Sequence, residues 1–368
     1  MLPHLRISTD EDKATLPWLD YSALTALNVC PRWGLIHSVY GKRFISNDRA
    51  MPLEAGKAMH DMFAAVRMFE LMDHTVRSSV NPTGVPDFID AHGRKLFKSS
   101  MFPDRWDEAL QIFDQQDDYD TRMMRFGLHM LETSGFHDNP NDRRRTQTNL
   151  ETAAITYIDR YPKRRYIPVA SALTGFVGVE VGFDIVLPTT PRIRFVGKVD
   201  GLCYDTMQQA LKAEVQENKT GSRIDQVWAD AFVIGHQVTG YCVAMSTVLQ
   251  EAVNSGVIWG TQIPVPKTSA FGDGHARVPA HRNLRQMQEW LQWVQSTLDT
   301  VMPYLPETFK FAGERLHPTD APMYTHSCNR YFRSCSLIPL CAEEPDMRKH
   351  ILDNEMASER WNPLSEEE

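Results

Sequence analysis

The sequence predicts an α/β or α+β fold, in which a central mixed β-sheet is flanked by helices. The middle of the chain contains short segments with β-branched residues or apolar–polar alternation, which are typical of strands. Apolar segments of helical length follow them, and the first third of the chain is also helical in its pattern. Strands between helical regions indicate a sheet covered by helices. The strands are predicted at residues 174–186, 192–199, 209–219 and 256–263, and the later helices at 224–252 and 284–304.

The first 150 residues are predicted to form a helical region. A short helix begins near Ser22, and a longer one at residues 53–72 is indicated by apolar side chains at three- and four-residue spacing. One or two further helices are expected at residues 103–133. The polar segment 137–149 contains proline and lacks periodicity, so it is expected to be a loop that separates this region from the sheet.

The composition is that of an ordinary globular protein. The 368 residues include 39 Lys+Arg and 47 Asp+Glu, for a formal charge of -8, and 42% of them are hydrophobic. These values exclude a disordered or fibrous chain, and the length fits two or three domains or one large decorated domain. The acidic balance gives no support to nucleic-acid binding, because a basic domain is its usual sign, but it does not exclude such binding.

Neither a transmembrane helix nor an export signal is predicted. The longest charge-free run, residues 231–250, contains glycine, histidine, glutamine and threonine, which indicates a buried core helix. Residues 1–13 include Asp10, Glu11 and Asp12, where a signal peptide has a basic start and an apolar stretch. We therefore expect a cytoplasmic protein without membrane contact. In that compartment the six cysteines are expected to be metal ligands, catalytic groups or core residues rather than disulfides.

The strand candidate at residues 209–219 ends in an unusual pair of charges. Strand side chains alternate between two faces, so Glu217 and Lys219 share a face with the apolar residues Ala213 and Val215. The even-numbered residues are predicted to face solvent. A partly buried charge is costly unless it is paired or binds a metal. The alternative is that the strand has emerged into water by Glu217.

A second carboxylate, Asp200, follows the preceding strand candidate. A β-hairpin would bring Asp200 near Glu217, and two carboxylates beside Lys219 can hold a hard divalent cation through oxygen ligands. Strict alternation, however, places Asp200 on the polar face of its strand. A bulge or bend at Gly197 or Gly201 is therefore required to turn this carboxylate inward.

These residues resemble the core of the PD-(D/E)XK nucleases, in the RecB-like exonuclease branch. The similarity consists of a GxxxH motif, an aspartate, an ExK motif and a QxxxY motif, in the order that the family shows. The resemblance implies a restriction-endonuclease-like core within residues 151–310. The matching residues are Gly56, His60, Asp200, Glu217, Lys219, Gln237 and Tyr241.

The resemblance also implies a role for each residue of the metal site. Asp200, Glu217 and His60 would bind Mg²⁺ or Mn²⁺, with the backbone carbonyl of Asn218 as a further ligand. Lys219 would orient a water molecule or stabilise the charge of the transition state. Without the resemblance, His60 is read as an ordinary surface or core histidine of its helix.

Three further residues are assigned supporting roles. Gln237 and Tyr241 share one face of a helix, and the resemblance implies that they approach the nucleic-acid backbone or hold the active strand. The alternative is a polar notch in a core helix. Related nucleases often carry a glutamate at the position of Glu180, one strand before Asp200, but we expect a structural role for it here.

Four cysteines have the spacing of a split metal site. Cys328, Cys335 and Cys341 lie in an irregular segment, and Cys30 lies far upstream. Thiolates suit zinc and iron–sulfur clusters, and structural zinc sites usually have two close pairs of ligands. The layout resembles instead the [4Fe–4S] site of AddB-type and CRISPR-associated exonucleases, which would join the two ends of the chain. The first interval is longer than in those relatives, which leaves zinc as the alternative, with His326 as a candidate ligand.

The resemblance as a whole implies a metal-dependent DNA exonuclease. Its partners would be DNA with free ends or single strands, and a helicase or recombination protein in DNA recombination, repair or end processing. The alternatives are a non-catalytic subunit that binds single-stranded DNA or assists a helicase, and a zinc-stapled structural protein. The predicted organisation is a helical region at 1–150, a nuclease core at 151–310, a cysteine segment at 311–345 that packs back on the helical region, and an acidic tail at 346–368.

Overall fold

The computed structural model describes residues 2, 4–44, 51–78, 87–98, 104–208, 212–265, 274–330 and 333–365. It contains a mixed sheet of eight strands with helices on both faces, which confirms the predicted α+β class. The helices are α1 Asp10–Thr15, α2 Tyr21–Val29, α3 Pro31–Trp33, α4 Met51–Arg77, α5 Asp87–Lys98, α6 Arg105–Phe113, α7 Tyr119–Glu132, α8 Gln147–Arg160, α9 Gln226–Val233, α10 His236–Leu249, α11 Leu284–Val301, α12 Ile338–Cys341 and α13 Pro345–Asn354. The strands are β1 Arg6–Ile7, β2 Trp18–Leu19, β3 Lys42–Arg43, β4 Tyr166–Pro168, β5 Ala170–Ser171, β6 Phe176–Val177, β7 Val179–Leu187, β8 Ile193–Asp205, β9 Ala213–Gly221, β10 Ser255–Gln262, β11 His275–His281, β12 Asn329–Arg330, β13 Arg333–Ser334 and β14 Ala357–Ser358.

The main sheet has the strand order β1-β7-β8-β9-β10-β11, and β2 and β4 both pair with β8. Its central pairs β7–β8 and β8–β9 are antiparallel hairpin neighbours. Strands β9 and β10 are parallel, because α9 and α10 carry the chain across one face of the sheet between them. The sheet is therefore mixed, as predicted.

Two hydrophobic cores cover the two faces of the sheet. The first core packs α2, α10 and α11 against the sheet, with Met245 and Trp290 fully buried. The second core packs α4, α6, α7 and α8 against the other face, with Met62 and Phe126 fully buried. Helix α4 spans the predicted segment 53–72 and extends beyond it at both ends, and it contacts β7, β8 and β9.

The second core overturns the prediction that the even-numbered face of β9 is solvated. Glu214, Gln216 and Asn218 are 4%, 0% and 0% exposed. Helices α4 and α8 cover this face, and the indole N–H of Trp259 donates to the Gln216 side-chain oxygen at 3.1 Å. Alternating polar residues indicated a solvent-exposed face, but here these side chains are buried beneath helices. Glu214 Oε1 and Gln216 Nε2 have no hydrogen-bond partner among the described residues.

The helix predicted at residues 224–252 is two helices. Helix α9 ends at Val233 and α10 begins at His236, after Gly235. The stretch Gln226–Leu249 is, within the described ranges, the one candidate for a membrane span by length and composition, and half of its best window is buried. Its α10 part packs in the first core, so it is a core element of a globular protein.

The last part of the described chain packs against the N-terminal region and is not a free acidic tail. After α13, strand β14 pairs with β3 near the other end of the chain. The guanidinium of Arg360 lies 3.7 Å from the centre of the Trp18 ring. A small third core joins Ile36 to Leu340 and Leu352. The predicted acidic tail therefore forms a helix and a strand on the N-terminal region, and the final three glutamates lie outside the described residues.

Candidate metal and catalytic site

Helix α4 positions His60 at the rim of the sheet. Its apolar side chains pack in the second core, and His60 emerges where the helix crosses β7, β8 and β9. The Nδ1 atom of His60 lies 3.4 Å from Oδ1 of Asp200 on β8. The His60 side chain remains 34% exposed, so the site can be reached from solvent.

Asp200 lies where the side chains of β8 change direction. Val199 and Leu202 both pack in the first core, although strict alternation would place them on opposite faces. The change falls beside Gly201, one of the two glycines at which a bend was expected. Gly201 pairs with Gln216 of β9, so Asp200 lies one step along the hairpin, next to Glu217.

Glu180 on β7 belongs to the same cluster, although the sequence assigned it a structural role. One ligand atom each from His60, Glu180 and Asp200 lies within 4.8 Å of the others. The other side of the Glu180 carboxylate faces Lys198, whose Nζ lies 3.4 Å from Oε2. Glu180 has a φ of +50°, a left-handed backbone that is costly for a residue with a Cβ and is commonly found at functional sites.

Glu217 and Lys219 follow on β9 and contact each other. The Lys219 Nζ donates to Glu217 Oε1 at 2.5 Å. The side-chain amide of Gln237 on α10 donates to the same oxygen at 2.9 Å and lies 3.0 Å from the Tyr241 hydroxyl. Gln237 therefore holds the Glu217 carboxylate of β9, and Tyr241 contacts Gln237.

Asn218 ties the two strands together from the other face. Its backbone N–H donates to Asp200 Oδ2 at 2.6 Å. Its side-chain oxygen, in the orientation that satisfies both partners, accepts from the two terminal nitrogens of Arg67 at 2.9 and 2.6 Å. Metal coordination by the Asn218 carbonyl stays a prediction.

Arg67 is a site residue that the sequence analysis missed. It is fully buried on α4, about two helical turns after His60. A Cβ on Gly201 would lie only 2.6 Å from Arg67 Nε, so the glycine lets the guanidinium approach the strand. An arginine within an otherwise apolar helical stripe was a usable signal, because a buried charge needs a specific partner.

The electrostatics of the cluster reflect crowded carboxylates. Burial and the charge of Asp200 raise the pKa of Glu217 to about 7, against the opposing effect of Lys219. Burial and Asp200 likewise raise the pKa of Glu180 to about 7. Burial would lower the pKa of His60, but the charge and hydrogen bond of Asp200 outweigh it and raise this pKa to about 9. Although burial opposes it, the charge of His60 and its hydrogen bond hold the pKa of Asp200 well below its usual range.

Two carboxylate oxygens without hydrogen-bond partners bear on whether the site can hold a metal ion. Glu180 Oε1 and Glu217 Oε2 are buried and have no hydrogen-bond partner within the described part of the chain. Such atoms are costly unless a ligand satisfies them. Carboxylate oxygens with one imidazole are a donor set suited to Mg²⁺ or Mn²⁺. The donors of His60, Glu180 and Asp200 therefore fit a divalent cation, whereas Glu217, predicted as a ligand from the sequence, lies outside the group within 4.8 Å.

The four cysteines of the predicted cluster share one neighbourhood. The backbone N–H of Cys335 donates to the Cys328 carbonyl at 2.7 Å, and Cys335 and Cys341 both pack against the third core beside Ile36. Burial raises the pKa of the Cys335 thiol, and the other three cysteines add to this effect. Arg32, two residues after Cys30, donates to the Ala321 carbonyl at 3.1 Å and joins the two segments.

The positions of the sulfur atoms do not display a mononuclear metal site. A tetrahedral zinc ion requires its thiolates about 3.8 Å apart, given its bond length. Among the described residues, which include all four cysteines, no three sulfur atoms lie within 4.8 Å of one another. The iron–sulfur cluster accordingly remains a prediction.

The comparisons with known proteins assign no family. No family model matches the chain, and the search of curated proteins finds no match.

Proposed function

We propose that the protein is a metal-dependent deoxyribonuclease of the RecB-like PD-(D/E)XK type, which hydrolyses DNA phosphodiesters. The observation that supports this most directly is the convergence of His60, Glu180 and Asp200 within 4.8 Å, with the Glu217–Lys219 pair on the adjoining strand. Carboxylates and an imidazole around one point, with an ammonium group beside them, suit phosphoryl chemistry better than a structural ion pair.

Each residue of the site has a task in this proposal. His60, Glu180 and Asp200 hold the cation. Glu217, on the adjoining strand, supplies a further oxygen ligand from outside this group. A bound Mg²⁺ or Mn²⁺ would lower the pKa of a water molecule and neutralise phosphate charge. Lys219 is 30% exposed at the site and orients the attacking water or stabilises the charge that develops on the phosphoryl oxygens.

The supporting residues fix the geometry of the active strand. Gln237, backed by Tyr241, fixes one oxygen of Glu217 and leaves the other free for the cation. The charges of His60 and Arg67 favour the ionised form of Asp200, and the Asn218 backbone N–H donates to its carboxylate. Such positioning matters because small displacements of reacting groups are costly in rate.

We further propose that the enzyme acts on DNA ends as an exonuclease in the cytoplasm, in recombination, repair or end processing. This extension rests on the resemblance of the GxxxH motif to exonucleases that digest strand ends. The protein partner we propose is a helicase or recombination protein, which would supply an unwound strand.

The decisive measurement is cleavage of end-labelled single- and double-stranded DNA with Mn²⁺. Glu217→Gln and Lys219→Met are expected to lower the rate by roughly 100-fold or more, because each removes charge from the reacting centre. Glu132→Gln and Lys212→Met are matched controls at exposed positions and are expected to cleave like the unmodified protein.

The outcomes separate the alternatives. Equal cleavage by all variants would show that the activity comes from another site or a contaminant. Binding of single-stranded DNA without cleavage by the unmodified protein would establish the non-catalytic subunit instead.

We also propose that Cys30, Cys328, Cys335 and Cys341 hold a [4Fe–4S] cluster. Protein purified without oxygen is expected to be brown, with broad visible absorbance and about four irons per chain. Cys335→Ser is expected to lose this colour and to lower the melting temperature more than it lowers DNA cleavage, while Cys242→Ser serves as the control thiol. Colourless protein with stoichiometric zinc would identify the zinc-stapled alternative.

A further inference from the structure

A second concave site lies on the opposite face of the sheet from Glu217. It is a cavity of about 360 Å³ between the end of α8 and strands β10 and β11. Small-molecule sites have volumes of about 300 to 1,000 Å³, so the cavity is large enough for a ligand. Its chemically distinctive lining residues are Arg160, Tyr161, Arg165, Trp259, His275 and Arg277.

The floor of this cavity is aromatic. The ring centres of Tyr161 and Trp259 are 5.8 Å apart, and Tyr157 lies 6.4 Å from Trp259. All three residues are at least nine-tenths buried. The Trp259 indole is held by its hydrogen bond to Gln216, so the floor is rigid. A rigid aromatic surface favours the stacking of a planar ring.

The rim of the cavity is cationic. Arg160 and Arg277 are exposed, and the Arg277 guanidinium lies 5.8 Å from the centre of the Trp259 ring. Arg165 is held in place by a bidentate pair with Asp205 at 2.9 and 2.8 Å. The described residues that line the cavity include three arginines and no acidic residue. Because Asp205 occupies the fork of Arg165, Arg160 and Arg277 are the guanidinium groups offered to a phosphate, whose oxygens match their geometry.

We propose that this cavity binds a nucleotide, with the base on the aromatic floor and the phosphate on the arginine rim. Guanidinium groups and aromatic rings in one pocket are the combination by which proteins bind nucleotide units of single strands. A phosphate alone would make no contact with the aromatic floor. An uncharged planar ring would make no ionic contact with the arginines of the rim.

The proposal goes beyond the nuclease function and does not rest on it. Trp259 pairs with Asn218 in the β9–β10 register, and the Tyr157 hydroxyl lies 3.5 Å from the Asn218 side-chain amide. The cavity therefore contacts the reverse side of the active strand. Occupancy can be measured without metal and without cleavage.

Calorimetric titration with dAMP in the presence of EDTA tests the proposal. We expect dAMP to bind at least about tenfold more tightly than adenosine, inorganic phosphate or a tetraglutamate peptide. Arg160→Gln is expected to weaken dAMP binding about tenfold, because it removes a charged phosphate contact. Arg143→Gln, at an exposed arginine outside the cavity, is the matched control and is expected to bind normally.

Three results would overturn the proposal. They are equal affinity for dAMP and phosphate or the acidic peptide, unchanged affinity in Arg160→Gln, and loss of dAMP binding in Glu217→Gln, which would place the ligand at the carboxylate cluster. Circular dichroism establishes that Arg160→Gln is folded. Competition with a short single-stranded oligonucleotide then identifies the source: displacement of dAMP indicates a unit of a strand, and simultaneous binding indicates a free nucleotide.

Discussion

Glu180 and Glu217 each have one carboxylate oxygen without a partner among the described residues at the proposed cation site. Each carboxylate is engaged through one oxygen, by Lys198 in one case and by Lys219 and Gln237 in the other. The second oxygen of each is buried without a partner in the described chain. Burial and the charge of Asp200 raise the pKa of each carboxyl to about 7, so each is ionised in only part of the molecules near neutral pH. A cation bound at the proposed site would compete with these protons.

Glu214 provides a residue-level prediction that is separate from the metal site. It is 4% exposed, and burial together with the charge of Asp205 raises its pKa to about 7, against the effect of Arg277. A carboxyl whose pKa is raised on folding stabilises the protein below its unfolded pKa, and this contribution is lost as the pH rises through about 7. Glu214→Gln, which cannot ionise, is therefore expected to be about 1–2 kcal/mol more stable than the unmodified protein at pH 8, and similar to it at pH 5.

Urea unfolding at the two pH values measures this difference. Glu132→Gln, at an exposed position, is expected to leave the pH dependence of stability unchanged. The same pH dependence in the Glu214→Gln variant and the unmodified protein would contradict the assignment.

The site residues missed from the sequence are those whose roles depend on contacts with residues distant in the chain. The family resemblance identified His60 and Asp200, which lie together in the structure, whereas strand alternation alone placed Asp200 on the polar face. Arg67 was missed because its role depends on Gly201, which is distant in sequence and leaves room for the guanidinium. Glu180 was given a structural role because its left-handed backbone is set by tertiary contacts and not by local sequence.

The packing of helix α10 sets the position of Gln237, which holds Glu217 on β9. Its Gly240 lies between Gln237 and Tyr241, and a Cβ there would approach Trp290 to 2.8 Å and Phe195 to 3.2 Å. Trp290 is fully buried on α11 and cannot move aside. The distance between α10 and α11 is therefore set by the absence of a side chain at this position.

Gly240→Ala is expected to lower the free energy of unfolding by about 1–3 kcal/mol through overpacking, although alanine favours helices. Cleavage is also expected to fall, because a displaced Gln237 no longer fixes Glu217. The measurement is the urea midpoint together with the nuclease rate.

Gly56→Ala is the matched control for stability. The nearest atom to its Cβ is Thr220 Oγ1 at 3.9 Å, so this helical substitution is expected to be neutral or to stabilise by up to about 1 kcal/mol. If both glycine variants behave alike, close packing does not set the position of α10.

At the level of elements, periodicity predicted whether a segment is a helix or a strand, but it did not predict what covers that segment in the fold. The helix at 53–72 and the strands on either side of Asp200 were found because their patterns are long. The even-numbered face of β9 was misjudged because alternation cannot reveal that α4 and α8 cover it. The break between α9 and α10 was missed because Gly235 alone is a weak stop signal within an apolar run.

At the scale of the whole molecule, segments near the two ends of the chain pack against each other. Strand β14 pairs with β3, Arg360 stacks on Trp18, and a Cβ on Gly182 of the main sheet would lie 3.1 Å from the Leu364 side chain. These contacts attach the last described residues to the edge of the core. Composition alone suggested a tail, because it counts charges and does not show which surface receives them.

Deletion of residues 357–368 is expected to lower the melting temperature by roughly 5 °C, since it exposes Trp18 and removes the β3 partner. Deletion of the final three glutamates alone is the control and is expected to leave the melting temperature unchanged. Differential scanning fluorimetry makes the comparison, and equal melting temperatures for the two deletions would contradict a structural role for this segment.

The contact of Arg32 with the Ala321 carbonyl also matters for how the protein is made. During translation, Arg32 and Trp18 leave the ribosome long before Ala321 and Arg360 exist. The surface that these contacts cover is therefore exposed until synthesis is nearly complete. A chain that ends before Ala321 would keep this surface exposed.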